Sequence, residues 1–143
     1  MVDDPFNVGR FVEAQAGTYA AALAELRRGR KTSHWIWFVF PQLRELGKSA
    51  MSERYGISGL TEARAYLTHP LLGPRLHECV AAMLAHRGQP ATAILGGIDA
   101  TKFRSCLTLF RRAAPDDAAF SDALDCFYQG NPDPRTEAML AAG

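Results

Sequence analysis

Three cationic or titratable side chains sit beside aromatic rings or hydroxyls, where they could do chemistry. His34 follows Lys31-Thr32-Ser33 and opens the run Trp35-Ile36-Trp37-Phe38-Val39-Phe40-Pro41-Gln42. Arg75 falls in the first turn of a predicted helix, where backbone N–H groups also lack partners. Lys102 and Ser105 lie three apart on another predicted helix and are neighbours on its surface. Lys31, His34, Arg75 and Lys102 could converge on one pocket for an anion, with Trp35, Trp37 or Tyr55 as a wall. Arg grips phosphate or carboxylate in bidentate fashion, Lys adds a point charge, and an aromatic face stacks a ring. His69, ahead of Pro70 at a helix junction, completes the candidate ligand set: His34, Trp37, Tyr55, His69, Arg75, Lys102 and Ser105. No catalytic residue is assigned, but His34 is the best acid–base candidate because its ordinary pKa lies near neutrality.

Each of these residues has a plainer role when taken alone. The histidines can be caps or core residues satisfied by hydrogen bonds, and Lys102 a solvated helix residue. The pair Lys102 and Ser105 invites comparison with Ser-Lys nucleophiles, which need a desolvated lysine as base. Its order is the reverse of S-x-x-K. Four scattered histidines without an H-x-x-x-H pair provide no ligand cluster, so no metal is expected. No cofactor is expected either.

The elements that must position these side chains are helical by period. Both tryptophans and two of the eight phenylalanines fall between Trp35 and Phe40. That run is too short to span a membrane, which takes roughly 20 apolar residues, and too apolar for a soluble surface. It predicts a short buried helix or extended segment in the core. Phe11, Ala14, Gln15, Thr18, Ala22 and Leu26 keep a helical stripe, with Asn7 as N-cap and Gly29 as stop. The polar, Gly/Ser-rich text from Arg44 to Gly59 predicts a long loop, a length that is often functional. A helix over 60–68, with Glu62 in its first turn, should end before Pro70. Leu71 to Arg87 forms the next, starting near Leu72 or Gly73 so that Pro74 stays in its first turn. Asp99 is the expected N-cap of a helix from Ala100 to about Arg112, with Phe103, Cys106, Leu107 and Phe110 inward. Asp116 or Asp117 opens another through Tyr128, stopped by Gly130, and a last short helix carries Met139 and Leu140. The fold class is therefore all-α: one compact domain over 1–143, about six to eight helices around an aromatic-rich core.

Composition narrows the partners. With 143 residues, 48% hydrophobic, 22% charged and a net charge of +1, the chain is an ordinary globular domain. Phosphate-neutralising nucleic-acid binding needs a clustered basic face that this balance lacks, so no nucleic acid is expected. The small basic knot Arg27-Arg28, Arg30 and Lys31 suits a solvated helix end. Cys79, Cys106 and Cys126 are widely spaced among apolar residues and predict buried, unpaired thiols. The acidic start Met1-Val2-Asp3-Asp4-Pro5 lacks a signal pattern, and no membrane span follows. These features predict a cytoplasmic protein with no membrane association.

Three segments resemble one family. Phe11-Val12-Glu13-Ala14-Gln15, Tyr19 and Ala22-Leu23 lead into Gly29-Arg30-Lys31 and the H-W-x-W-F-x-F-P-Q string of residues 34–42. Tyr55-Gly56-Ile57 and the stretch from Glu62 to Gly73, with Arg75-Leu76, form the middle. Asp99, Lys102 through Ser105, Leu107-Thr108-Leu109-Phe110, Gly130, Asp133 and Thr136 form the end. Together they resemble the bacterial "domain of unknown function 1810" family across nearly the whole chain. The resemblance implies a mostly helical single domain. The calpastatin label sometimes attached to members finds no support here, since a calpain-inhibitory segment would be disordered and rich in Pro, Ser and Lys.

Two function classes follow from these residues. The first is binding, with or without processing, of a small anionic, nucleotide-like metabolite in a His/Arg/Lys/aromatic pocket. The second is a protein-interaction adaptor, with the aromatic run as core and segment 44–59 as contact surface.

Overall fold

The computed structural model describes residues 3–142. Its helices are α1 (Gly9–Ala16), α2 (Tyr19–Arg28), α3 (Ile36–Val39), α4 (Ala50–Tyr55) and α5 (Leu60–Thr68). They continue as α6 (Leu72–Leu84), α7 (Ala91–Leu95), α8 (Gly97–Ala113), α9 (Ala118–Tyr128) and α10 (Pro134–Ala142). No β-strand occurs among the described residues, and the only ladder-like contact is a single parallel bridge between Leu43 and Ile57. The chain is all-α.

Helix α8 is the hub. It packs against α3, α5, α7, α9 and α10, and its inward stripe carries Phe103, Cys106, Leu107 and Phe110, all fully buried. Aromatic rings interlock around it. Phe40 meets Phe103 at 4.5 Å between centroids, and Phe110 touches both Tyr66 and Phe120 at 5.5 and 5.7 Å. Edge and tilted contacts of this kind add to the burial energy of each ring. The aromatic run folds as the single turn α3, with Trp35, Ile36, Phe38 and Phe40 buried and Trp37 half-buried.

Several boundaries follow the sequence pattern. Helix α5 spans 60–68 as expected, and Pro74 sits in the first turn of α6. Gly29 stops α2 in the left-handed region at φ 78°, a conformation glycine adopts without steric cost. Asp117, rather than Asp116, caps α9 by accepting from the Ala119 N–H at 3.2 Å.

Other boundaries differ, each for a local reason. The stripe from Phe11 to Leu26 is two helices, interrupted at Gly17 and Thr18, with Phe11 and Gln15 buried before the break and Ala22 and Leu26 after it. Asn7 does not cap α1; the Asp4 carboxylate does so, accepting from Val8 and Gly9 N–H at 2.8 and 3.0 Å. The expected loop 44–59 contains a 3-10 turn at Arg44–Leu46 and helix α4, whose Ser49 hydroxyl accepts from the Ser52 N–H. Only Ser52 and Tyr55 of α4 are buried, too few to leave a helical stripe. Helix α6 ends at Leu84, short of Arg87. Helix α8 begins at Gly97, so Asp99 lies inside its first turn instead of capping it. Cys79 and Cys106 are buried free thiols, whereas Cys126 is exposed, against the expectation for all three.

The turn between α5 and α6 depends on a glycine. A Cβ on Gly73 would lie 2.0 Å from the Leu67 carbonyl oxygen, so only glycine lets the two helices approach this closely.

Candidate functional site

The start of α8 gathers the side chains that bear charge beside the aromatic run. Because Asp99 is helical and not a cap, its carboxylate is free to reach sideways. Its Oδ2 meets the Lys31 Nζ at 2.7 Å, while Oδ1 lies 4.0 Å from the Lys102 Nζ, three residues on along the same helix. The Lys31 side chain is only 7% exposed. It also donates to the Ser33 carbonyl at 2.6 Å and lies 4.9 Å from the centre of the Trp35 ring. Lys31 is thus a built-in cation, and the solvated position predicted for the basic knot holds for Arg27, Arg28 and Arg30, which are exposed. Lys102 lies over the Trp37 ring at 4.9 Å. An ammonium in that position is attracted by the negative face of the indole.

The loop that delivers Lys31 and His34 is fixed from below by Glu25 of α2. This buried carboxylate accepts from Thr32 N at 2.7 Å, Ser33 N at 3.0 Å, Ser33 Oγ at 2.5 Å and Trp35 Nε1 at 3.0 Å. Burial alone would raise its pKa. The hydrogen bonds, led by that of the Ser33 hydroxyl, outweigh burial and hold it at about 2. A fixed anion beneath the loop and an exposed His34 on top of it follow directly.

His34 is exposed, and Trp37 is half-buried. Among the described residues, neither the His34 ring nor the Trp37 indole N–H is hydrogen-bonded to protein. Trp37 and Tyr55 border one crevice of about 10 Å³ together with Gln42 and Met51. That is room for about one water, so a ligand meets only the outer face of Trp37. Tyr55 itself is buried against Phe11 and Phe38.

The remaining sequence-predicted residues are held elsewhere. Arg75 stacks on the Tyr19 ring at 4.4 Å and donates to Gln15 Oε1 at 3.3 Å. Gln15 in turn donates to the Phe38 carbonyl at 2.6 Å and to the Tyr66 hydroxyl. His69 Nδ1 accepts from the Leu71 and Leu72 N–H groups and so caps α6. Ser105 is buried and donates to Thr101 O and to Asp133 Oδ2, both at 3.2 Å. No hydrogen bond or ion pair among the described residues joins Arg75, His69 or Ser105 to Lys102 or His34. The geometry therefore brings together Lys31, Trp37 and Lys102, with His34 directly after Ser33, and adds Asp99. From the sequence, Lys31 belongs both to the basic knot and to the cations of the pocket, and Asp99 reads as a cap. The i, i+3 spacing of Asp99 and Lys102 was the one signal available for the missing carboxylate.

Comparison with known proteins shows the family of the chain. Residues 5–140 match the family model described as "Protein of unknown function (DUF1810)", and the chain belongs to that family. It is also similar to the crystal structure of the conserved hypothetical protein Rv1873 from Mycobacterium tuberculosis, at 51% identity and a TM-score of 0.95. That similarity covers 96% of this chain and 99% of the mycobacterial one. No curated protein is significantly similar to the chain. Among the described residues no helix is long and apolar enough to cross a membrane.

Proposed function

We propose that this protein binds a small anionic, nucleotide-like metabolite over the outer face of Trp37. Its ring stacks on the indole, and its phosphate is taken by Lys102 with His34 nearby. One observation carries this reading: the single carboxylate of Asp99 serves two ammonium groups, so the cluster keeps a surplus positive charge beside a half-exposed ring. Lys31 stays on Asp99 and keeps that carboxylate from neutralising Lys102 fully. A local cationic site in a nearly neutral chain attracts anions more strongly when partly buried. The free thiols suit a reducing cytoplasm, where such metabolites are met.

The adaptor reading has one favouring observation. Ile98, one turn before Lys102 on α8, is 76% exposed. A single exposed side chain falls well short of the contiguous apolar patch that marks a protein contact.

Fluorescence titration with AMP, ADP and inorganic pyrophosphate tests the proposal. Trp35 is fully buried, so quenching reports on Trp37. Saturable binding is expected, weakened about tenfold or more by Lys102→Ala with no loss of helical content. Absence of saturable binding for all three probes, or unchanged affinity in Lys102→Ala, would overturn it and leave Ile98 and the adaptor.

A further inference from the structure

A second cavity lies away from Trp37. It has a volume of about 830 Å³ and lies between the 3-10 turn at Arg44–Leu46, the start of α5 and the last turns of α10. That volume falls in the range of small-molecule sites, roughly 300–1,000 Å³. Its floor is aliphatic: Leu43, Ile57, Leu60, Met139 and Leu140. Ile57 is fully buried and Leu43 nearly so, held by the bridge between them and by hydrogen bonds from Arg44 N to Ile57 O and Ile57 N to Gln42 O. The floor therefore belongs to the rigid body of the fold.

Two guanidinium groups stand at the wall of this cleft. Arg44 donates through Nη2 to the Gly56 carbonyl at 3.3 Å, and Arg64 through Nε to the Ala113 carbonyl at 3.2 Å. Each is oriented by one backbone acceptor. Among the described residues, neither forms an ion pair, although Arg10, Arg27, Arg111 and Arg112 all do. Glu45 also lines the cleft, so the three charged side chains sum to +1. An arginine tied to one carbonyl keeps further N–H donors for a planar anion.

Among the described residues no aromatic ring lines the cavity. A nucleobase has nothing to stack on there, whereas an alkyl chain meets a continuous aliphatic floor. We infer that this cleft is a second binding site, for a medium-chain aliphatic carboxylate. The alkyl chain lies on Leu60, Met139 and Leu140, with the buried Leu43 and Ile57 behind them, and the carboxylate lies between Arg44 and Arg64. The site is independent of the Trp37–Lys102 cluster and takes a different class of ligand.

Isothermal titration of the full-length protein with hexanoate, octanoate and decanoate tests this. Saturable one-to-one binding is expected, tightening about fourfold for each added CH₂, since each buried methylene contributes about 0.8 kcal/mol. Decanol, which lacks the charge, should bind at least tenfold more weakly than decanoate. Arg44→Gln and Arg64→Gln should each weaken decanoate binding by about fivefold or more, with circular dichroism and urea unfolding checking the fold. A second pair of variants, Leu140→Ala and Met139→Ala on α10, should flatten the chain-length dependence without touching either arginine. Lys102→Ala should leave decanoate binding unchanged, which separates this site from the one at Trp37. The inference is overturned by an absence of saturable decanoate binding or by equal binding of decanol. Binding that persists when both arginines are replaced, or that is lost in Lys102→Ala, overturns it as well.

Discussion

The Trp35 indole N–H donates to the Glu25 carboxylate at 3.0 Å, tying the first ring of the aromatic run to a helix ten residues earlier. Three further donors from Thr32 and Ser33 converge on the same carboxylate. Charge-assisted bonds of this kind are roughly twice as strong as neutral ones. The folded pKa of about 2 lies below the ordinary 4.5, so the ionised form is what the fold binds. Its stabilisation is fully present above pH 4.5 and fades as pH falls toward 2, a window worth about 3 kcal/mol at 1.4 kcal/mol per pH unit. Glu25→Gln should therefore lower stability at pH 7 by about 2–4 kcal/mol. Urea unfolding between pH 5 and pH 2 should show a shallower acid loss in the variant than in the wild type. Parallel acid profiles would show that Glu25 is not the group responsible.

Two tryptophans two residues apart should respond very differently to truncation. Trp35 is fully buried, with its N–H satisfied by Glu25, so Trp35→Ala is expected to cost about 3–5 kcal/mol. The same cost is expected for Trp37 from the sequence alone. In the structure its ring is half-buried, with Lys102 over it, so Trp37→Ala should cost only about 1–2 kcal/mol. Denaturant midpoints of the two variants decide this, and equal losses would place Trp37 in the core after all.

The sequence revealed faces but not partners. Helix α5 was legible at both ends, because Glu62 marks its first turn and Pro70 forbids its continuation. Helix α4 was hidden, since only Ser52 and Tyr55 of its six residues are buried and its cap is one serine among several. Asp99 shows the deeper limit. Acidic residues are favoured both as N-caps and in the first turn, so residue type alone cannot separate the two. A shift of three residues in the start of α8 turned a cap into the anchor of Lys31. Arg75 fails for a related reason: its position in the first turn of α6 was correct, but the Tyr19 ring that captures it comes from a distant helix. Periodicity says which side of α6 faces inward and nothing about what waits there.

A second pH dependence should appear on the alkaline side, at the joint of α6 and α9. His77 Nδ1 lies 2.9 Å from the Gly73 carbonyl and Nε2 lies 2.5 Å from Asp117 Oδ2. Both partners are acceptors, so both ring nitrogens donate and the imidazolium is favoured. Burial works against the charged form, but the Asp117 and Gly73 hydrogen bonds and the Asp117 charge prevail and raise the pKa above 6.5. Stabilisation from this pair is fully present below pH 6.5 and is lost as pH rises through the folded value. The pair is partly exposed, so it contributes only about 0.5–1 kcal/mol. Thermal unfolding from pH 6 to pH 9 should show a falling Tm in the wild type and a flatter line in His77→Gln. Identical slopes would dismiss the pair as a contributor.

The last prediction concerns how α10 is held, and it tests Ser105 as a structural residue. Asp133 Oδ2 accepts from Thr136 N at 3.0 Å, Thr136 Oγ1 at 2.5 Å and Ser105 Oγ at 3.2 Å. Its own N–H donates to Thr108 Oγ1 at 2.9 Å. Arg104 adds bonds to the Asn131 and Pro132 carbonyls, both at 2.9 Å. The turn before α10 is thus fastened to α8 by side chains from three of its residues. Asp133→Ala removes an N-cap interaction of about 1 kcal/mol and leaves the buried Thr136 hydroxyl without its acceptor, at about 1–3 kcal/mol more, while the Ser105 hydroxyl keeps the Thr101 carbonyl. The total loss should be about 2–4 kcal/mol in urea unfolding. Asp133→Asn keeps one acceptor oxygen and should lose about half as much, whereas Ser105→Ala should cost about 1 kcal/mol or less. Because α10 packs chiefly on α8, its release should precede global unfolding. Limited proteolysis of Asp133→Ala should cut within 134–142 well before the rest of the chain is attacked. Cleavage at the wild-type rate would mean that the aliphatic contacts of Met139 and Leu140, not this polar latch, keep the last helix in place.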